Sequence, residues 1–176
     1  MTQSLTIPEY KSESGGRGSC RAADHALPKR QHLSHGIIEV HNQPTIIFVT
    51  IATKKRERWL TIPHIPELIH ETWTEATGWA VGRYVIMPDH VHFFCSPGTM
   101  EVTLEDWITY WKSQLRKKQK NANSRWLSDH WDTRMRSHQS YEEKWIYTQN
   151  NPVRHKLVTD SSLWPYQGEI HELRWS

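Results

Sequence analysis

The sequence predicts an α+β fold, a ferredoxin-like antiparallel sheet with helices packed on it. Three observations carry that expectation. The β-branched and aromatic run Thr45-Ile46-Ile47-Phe48-Val49-Thr50-Ile51 is too short for an ordinary helix and reads as a buried strand. Two more strand-like runs flank Pro88-Asp89, a turn dipeptide, and are close enough to form an antiparallel hairpin. Helical periodicity lies between the first strand and the hairpin, and again after it. Strand, helix, strand, strand, helix is the order of a split βαβ unit, and helices covering three or more antiparallel strands are its simplest packing.

After the first strand, Lys54-Lys55-Arg56-Glu57-Arg58 reads as a surface loop. From Pro66 to Thr77 the apolar residues Ile65, Leu68, Ile69, Trp73 and Ala76 recur at helical spacing, with Pro66 suited to the first turn and Gly78 to the C-terminal cap. Ala80 to Met87 is the second strand and His90 to Cys95 the third, ended by Ser96-Pro97-Gly98. Residues 102–119 form a helix with Leu104, Trp107, Ile108, Trp111 and Leu115 on one face. Its acidic start, Glu101, Glu105 and Asp106, and its basic end complement the helix dipole. Asn121 to Ser124 is a loop, and a last helix runs from about His138 to Asn150, with Pro152 just beyond it. The stretch from Trp164 to Ser176 is aromatic and irregular.

The 176 residues suit one domain. The expected division is a flexible leader at 1–35, one folded domain at 36–160 and a C-terminal tail at 161–176. The leader includes Ser12-Glu13-Ser14-Gly15-Gly16-Arg17-Gly18-Ser19 and has no Trp, so it buries too little apolar surface to offset its ordering entropy. No stretch approaches the ~18 apolar residues of a membrane span, and the N-terminus lacks the basic-then-apolar order of a signal peptide. Cys20 and Cys95 supply neither a disulfide framework nor a thiolate zinc site. A soluble cytoplasmic protein is expected. The net charge of +3 does not by itself demand a polyanion. Its distribution is more telling, since Lys112, Arg116, Lys117, Lys118 and Lys120 lie in one acid-free stretch.

The chain is rich in Trp (ten) and His (twelve), and two histidines have informative spacing. In Met87-Pro88-Asp89-His90-Val91-His92, a strand turns His90 and His92 to the same face and Val91 and Phe93 to the other. The pair either converges on one metal ion or is simply polar residues on an exposed sheet face. Two histidines are half of a closed site, so a metal there would keep open positions. A second segment runs from Trp145 to Arg154. On one helix, Tyr147 and Asn151 would share a face, as nucleophile and neighbouring oxygen ligand, or as a packed aromatic and a helix cap. Lys144, one turn before Tyr147, is a helper to it or a solvated lysine.

Taken together these residues resemble a family. His90-Val91-His92 after Met87-Pro88-Asp89 resembles the HUH motif of single-tyrosine transposases. Trp131-Asp132, Arg136 and Tyr147-Thr148-Gln149-Asn150-Asn151-Pro152-Val153-Arg154 resemble a second block, that of the REP-associated tyrosine transposases. Lys112-Ser113 sits where that family carries a Lys-Ser pair. The resemblance spans about residues 38–160. Thr148 stands where the family usually has an aliphatic residue, Thr133 where it often has His, and Leu127 where it commonly has Gln. These departures bear on fine substrate contacts rather than on the reaction.

The resemblance implies a central HUH strand and a tyrosine on a C-terminal helix. It implies a metal-dependent endonuclease and strand transferase acting on single-stranded, hairpin-forming repeat DNA through a 5′-phosphotyrosine. His90, His92 and Tyr147 would be catalytic. His90 and His92, with Asn151 as a third contact, would bind Mg²⁺ or Mn²⁺. Backbone and base contacts would come from Lys112, Arg116, Lys117, Lys118, Lys120, Arg134, Arg136 and Arg154, with Trp126 and Trp131 stacking on bases. The Lys/Arg run at the helix end is equally a solvated terminus, while Trp107 and Trp111 belong to the core. Two other readings compete: a domesticated, non-catalytic binder of hairpin DNA or RNA on the same scaffold, and an unrelated H-x-H metallohydrolase that would not need Tyr147.

Overall fold

The computed structural model describes residues 45–98, 102–119 and 125–174. The expected leader at 1–35, Lys120 and the loop at 121–124 lie outside them. Strand β1 (Ile47–Ala52) is followed by a 3₁₀ turn at Lys54–Arg56, helix α1 (Ile65–Glu75) and the hairpin of β2 (Trp79–Met87) and β3 (His90–Pro97). Helix α2 (Leu104–Lys118), strand β4 (Trp131–Arg134), helix α3 (His138–Gln149), the short helix α4 (Asn151–Arg154) and strand β5 (Gln167–Glu169) complete the order.

The five strands lie in the order β4-β1-β3-β2-β5, and each neighbouring pair is antiparallel. The first four strands with α1 and α2 make the ferredoxin-like arrangement, with β3, the H-x-H strand, at the centre. Alternation along the strands sorts the side chains onto two faces. Val49, Ile51, Val91, Phe93 and Cys95 enter the main core, where Ile69 and Trp73 of α1 and Trp107, Ile108, Trp111 and Leu115 of α2 cover them. The expectation that Val91 and Phe93 point under the helices, and that Trp107 and Trp111 are core, is met. The opposite face carries two smaller clusters. Phe48 and Phe94 pack with Tyr141 and Trp145 of α3, and Val85 and Met87 pack with Trp164.

Local chemistry fixes the helix ends. Pro66 stands in the first turn of α1. Thr103 Oγ1 accepts the Asp106 N–H at 3.1 Å to cap α2. Ser137 and Ser140 form a reciprocal box at the start of α3.

Three local points differ from the sequence reading. The region around Trp131, to which no element was assigned, is an edge strand paired with β1. The stretch after Trp164, read as irregular, adds β5 to the far edge of the sheet, and Trp164 is buried with its indole N–H donated to Ile86 O at 3.0 Å. Tyr147 and Asn151 do not share one helix: α3 ends at Gln149, and Asn151 opens α4 with Pro152 behind it. Proline has no amide hydrogen to continue the ladder, so the helix is interrupted there.

Candidate active site

β3 brings His90 and His92 to the face that α3 covers. Their rings meet edge to face, with centroids 4.7 Å apart. Each has its Nδ1 engaged. His90 Nδ1 donates to Asp89 Oδ1 at 2.6 Å, and Asp89 Oδ2 in turn lies 3.5 Å from Arg56. His92 Nδ1 lies 2.8 Å from Thr50 Oγ1, on the neighbouring strand. A carboxylate fixes the Nδ1–H tautomer of His90, and the Thr50 hydroxyl, which can donate as well as accept, does the same for His92 where it accepts. Both Nε2 lone pairs are then left for a ligand, the arrangement common behind metal-binding imidazoles.

Electrostatics supports a neutral His92. Burial holds His92 well below the ordinary imidazole range, and the nearby charges of His90, Lys144, Arg56 and His155 push the same way. His92 is therefore neutral at pH 7 and keeps its lone pair. Burial alone would raise Asp89, but its hydrogen bond to His90, the charge of His90 and Arg56 outweigh it and hold the carboxyl below its usual value.

Tyr147 is 53% exposed near the end of α3. Two cations attend its ring: Arg154 Cζ at 4.4 Å from the centroid and Lys144 Nζ at 5.8 Å. Lys144 also reaches a second ring. It is half-buried, and its ammonium lies 5.2 Å from the Phe48 ring, which stacks on His92 at 5.5 Å. A chain of contacts thus runs from Arg154 through Tyr147, Lys144 and Phe48 to His92. Tyr141, the other tyrosine of α3, differs. It is buried against Phe94, and burial pushes its hydroxyl up to about 12 against the opposing charge of Arg83.

Asn151 is buried at the start of α4, and its carbonyl accepts the His155 N–H at 2.9 Å. His155, which the sequence did not single out, places its ring 6.1 Å from His90. Its signal was its position, one turn after Asn151, lost among twelve histidines. Among the described residues no three His, Cys, Asp or Glu side chains are gathered so as to hold a metal ion. Two imidazole nitrogens with open positions fit an ion that takes its other ligands from oxygens, such as those of an amide, water or phosphate.

The remaining predicted residues divide by location. Trp131 pairs with Thr50, which pairs with His92, so the three form one row across the sheet. Arg136 follows β4 and is exposed, while Arg134 stands opposite Ile47 on the other face. Trp126 is half-buried, its ring edge-on to Trp59 at 5.1 Å and to Trp111 at 5.4 Å. Lys112 is turned inward and donates to Leu127 O at 3.1 Å. Arg116 and Lys117 are exposed on α2, which packs against the sheet face away from the histidines. Lys118 is paired with Glu75 at 2.7 Å and Glu71 at 3.4 Å.

No protein-family model matches the chain, and no curated protein matches it. Among solved structures, the REP-associated tyrosine transposase bound to a REP hairpin shares the fold, with a TM-score of 0.62 and 19% identity over 71% of this chain and 76% of that one. A candidate transposase from Deinococcus radiodurans R1 is 17% identical over 67% of this chain and 97% of its own, with a TM-score of 0.43, too low to carry an argument. No helix among the described residues is long and apolar enough to cross a membrane.

Proposed function

We propose that this chain cuts and rejoins single-stranded DNA through Tyr147, with hairpin-forming repeats as the substrate. The observation that carries the reading is the run of contacts from Tyr147 through Lys144 and Phe48 to His92, which ties an exposed phenol to a pair of oriented imidazoles. The fold shared with a transposase that holds a REP hairpin is its second support.

A free tyrosine is only about one part in a thousand phenolate at pH 7. The oxygen therefore needs positive charge nearby as its proton leaves, and Arg154 and Lys144 supply it. Tyr147 Oη bonds to phosphorus as the bond from phosphorus to the 3′ oxygen breaks. That oxygen takes up a proton and leaves as a 3′-hydroxyl, and the 5′ phosphate remains on the tyrosine. One phosphate ester replaces another, so a 3′-hydroxyl can reverse the step without an energy source. His90 and His92, with Asn151 as a third contact, would hold Mn²⁺ or Mg²⁺. What such an ion supplies when bound is positive charge on a non-bridging phosphate oxygen. Thr50 and Asp89 keep the two imidazoles oriented. Trp131, in line with Thr50, offers a face for a base, and Arg136 a cation for the backbone.

Labelled single-stranded hairpin DNA and Mn²⁺, followed by a denaturing gel, tests the reading. Wild type should give a covalent adduct and Tyr147→Phe none. An adduct that survives Tyr147→Phe and disappears in Tyr141→Phe would overturn the choice of nucleophile. Tight binding with no adduct would instead make the chain a non-catalytic binder on this scaffold.

A further inference from the structure

The net charge of the whole chain is +3, and the five residues Lys54, Lys55, Arg56, Glu57 and Arg58 carry as much by themselves. All five are exposed. A surface run of this kind is ordinarily just a solvated face. Three features set this one apart.

The turn is anchored. Thr53 N–H donates to Asp89 O at 2.8 Å, Lys54 N–H to Arg125 O at 2.8 Å and Leu60 N–H to Pro88 O at 3.0 Å. Thr53 Oγ1 adds contacts to Asp89 O and Glu57 O. The turn is also strained. Lys55 and Arg56 both have left-handed backbones, with φ of 57° and 56°, a conformation that costs about 1–2 kcal/mol per non-glycine residue. A floppy loop would relax out of it, so the surrounding contacts hold it. Finally, the turn sits beside the histidines. Ala52, just before it, pairs with His90, and Arg56 reaches the Asp89 carboxylate that orients the His90 ring. Arg125, exposed and bonded to Lys54 through its carbonyl, adds a further cation to the same rim.

We infer that the turn Lys54–Arg58, together with Arg125, is a binding site for the backbone phosphates of the DNA strand that enters the histidine pair from the Asp89 side. The inference rests on the proposed DNA chemistry, and it names where the strand beyond the reacting phosphate is held. Cations carried on an anchored backbone suit a flexible polyanion because the turn itself gives up little freedom on binding. Arg154 and Lys144 serve the nucleophile, and the turn serves the flanking strand.

Salt dependence of binding tests this in a Tyr147→Phe background, where no bond is exchanged. A labelled single strand carrying a hairpin is titrated at several salt concentrations. The parent is compared with Lys54→Gln/Lys55→Asn/Arg58→Gln and with Arg116→Gln/Lys117→Gln, each checked for an unchanged Tm. Asn is chosen at position 55 because it tolerates a left-handed backbone. Arg56 is left intact because it contacts Asp89. The slope of log affinity against log salt should shrink by about 2 in the turn variant, at ~0.7 per lost single-strand phosphate contact, and stay unchanged in the α2 variant. An unchanged slope in the turn variant, or no DNA binding by the parent, overturns the inference. Adduct formation by wild type is read separately. An adduct with an unchanged slope sinks this inference alone. A reduced slope with no adduct sinks the catalytic reading and leaves the binding site standing.

Discussion

Thr50 and His92 face each other across β1 and β3, with Thr50 Oγ1 2.8 Å from His92 Nδ1. The contact mirrors the one Asp89 makes with His90 at 2.6 Å. One imidazole is oriented by a carboxylate on its own strand's turn and the other by a hydroxyl on the neighbouring strand. The difference has an electrostatic sense. Two carboxylates would favour two imidazolium ions, whereas a neutral hydroxyl leaves the buried His92 uncharged and ready to donate its lone pair.

Replacing Thr50 with Val keeps the shape and removes the hydroxyl. His92 Nδ1 then loses its partner, and the ring is free to rotate or change tautomer. Calorimetric titration with Mn²⁺ should show affinity lower by roughly 10–100-fold, the usual effect of losing an outer hydrogen-bonding partner. Thr50→Ser, which retains the hydroxyl, should restore most of it. Wild-type affinity in Thr50→Val would mean that packing on Phe48 alone orients the ring.

A second prediction concerns how α3 is held. Arg83 of β2 donates to both carboxylate oxygens of Glu142 at 2.9 and 3.0 Å, and its guanidinium lies 5.3 Å from the Tyr141 ring and 5.6 Å from that of Trp145. Glu169 of β5 lies 3.7 Å away on its other side. One side chain thus clamps the helix that bears Tyr147 to two strands. Arg83→Met should cost about 1–2 kcal/mol, because the groups are only partly buried. Amide exchange in α3 should speed up, and adduct formation should slow with hairpin affinity unchanged. Arg83→Lys should rescue it only in part, since one ammonium can reach the Glu142 carboxylate but cannot also present a second nitrogen to Glu169 or lie flat on the rings. An exchange pattern unaltered in Arg83→Met would remove the clamp from the account.

What the sequence disclosed follows from where its signals are periodic. The helix expected from His138 to Asn150 runs to Gln149, because the Asn-Pro pair marks its end. The shared face of His90 and His92 followed from the two-residue repeat of a strand, whereas the central place of β3 came from the family resemblance alone. Strand β4 was hidden because Trp131–Arg134 is four residues long and half-buried, so it has no full apolar alternation. Strand β5, Gln-Gly-Glu, has no β-preference at all and is formed by pairing with β2. The turn at 54–58 was visible as charge but not as part of a site, because only sheet pairing places residue 52 opposite residue 90. Lys144 was ambiguous for the same reason: its second partner, Phe48, is almost a hundred residues away in sequence.

Lys112 yields the last prediction, with its sign set by linkage. Burial lowers its ammonium to about 8, partly opposed by the charge of Asp129, while an exposed lysine titrates near 10.5. The unfolded chain therefore holds more protons than the folded one between about pH 8 and 10.5. Stability should rise with pH across that window, by up to about 1 kcal/mol per pH unit. The contribution is complete above the unfolded value and is lost as the pH falls through the folded one. Denaturant unfolding at pH 7.5, 8.5 and 9.5, compared with Lys112→Met, isolates the effect, since the variant lacks this component of the slope. The same variant bears on DNA contact. Lys112 Nζ is already donated to Leu127 O, in the connection that leads to Trp131. Lys112→Met should thus loosen that connection and weaken hairpin binding while leaving the salt slope as it was. A slope reduced by about 0.7 would show instead that the ammonium leaves Leu127 for a phosphate when DNA binds.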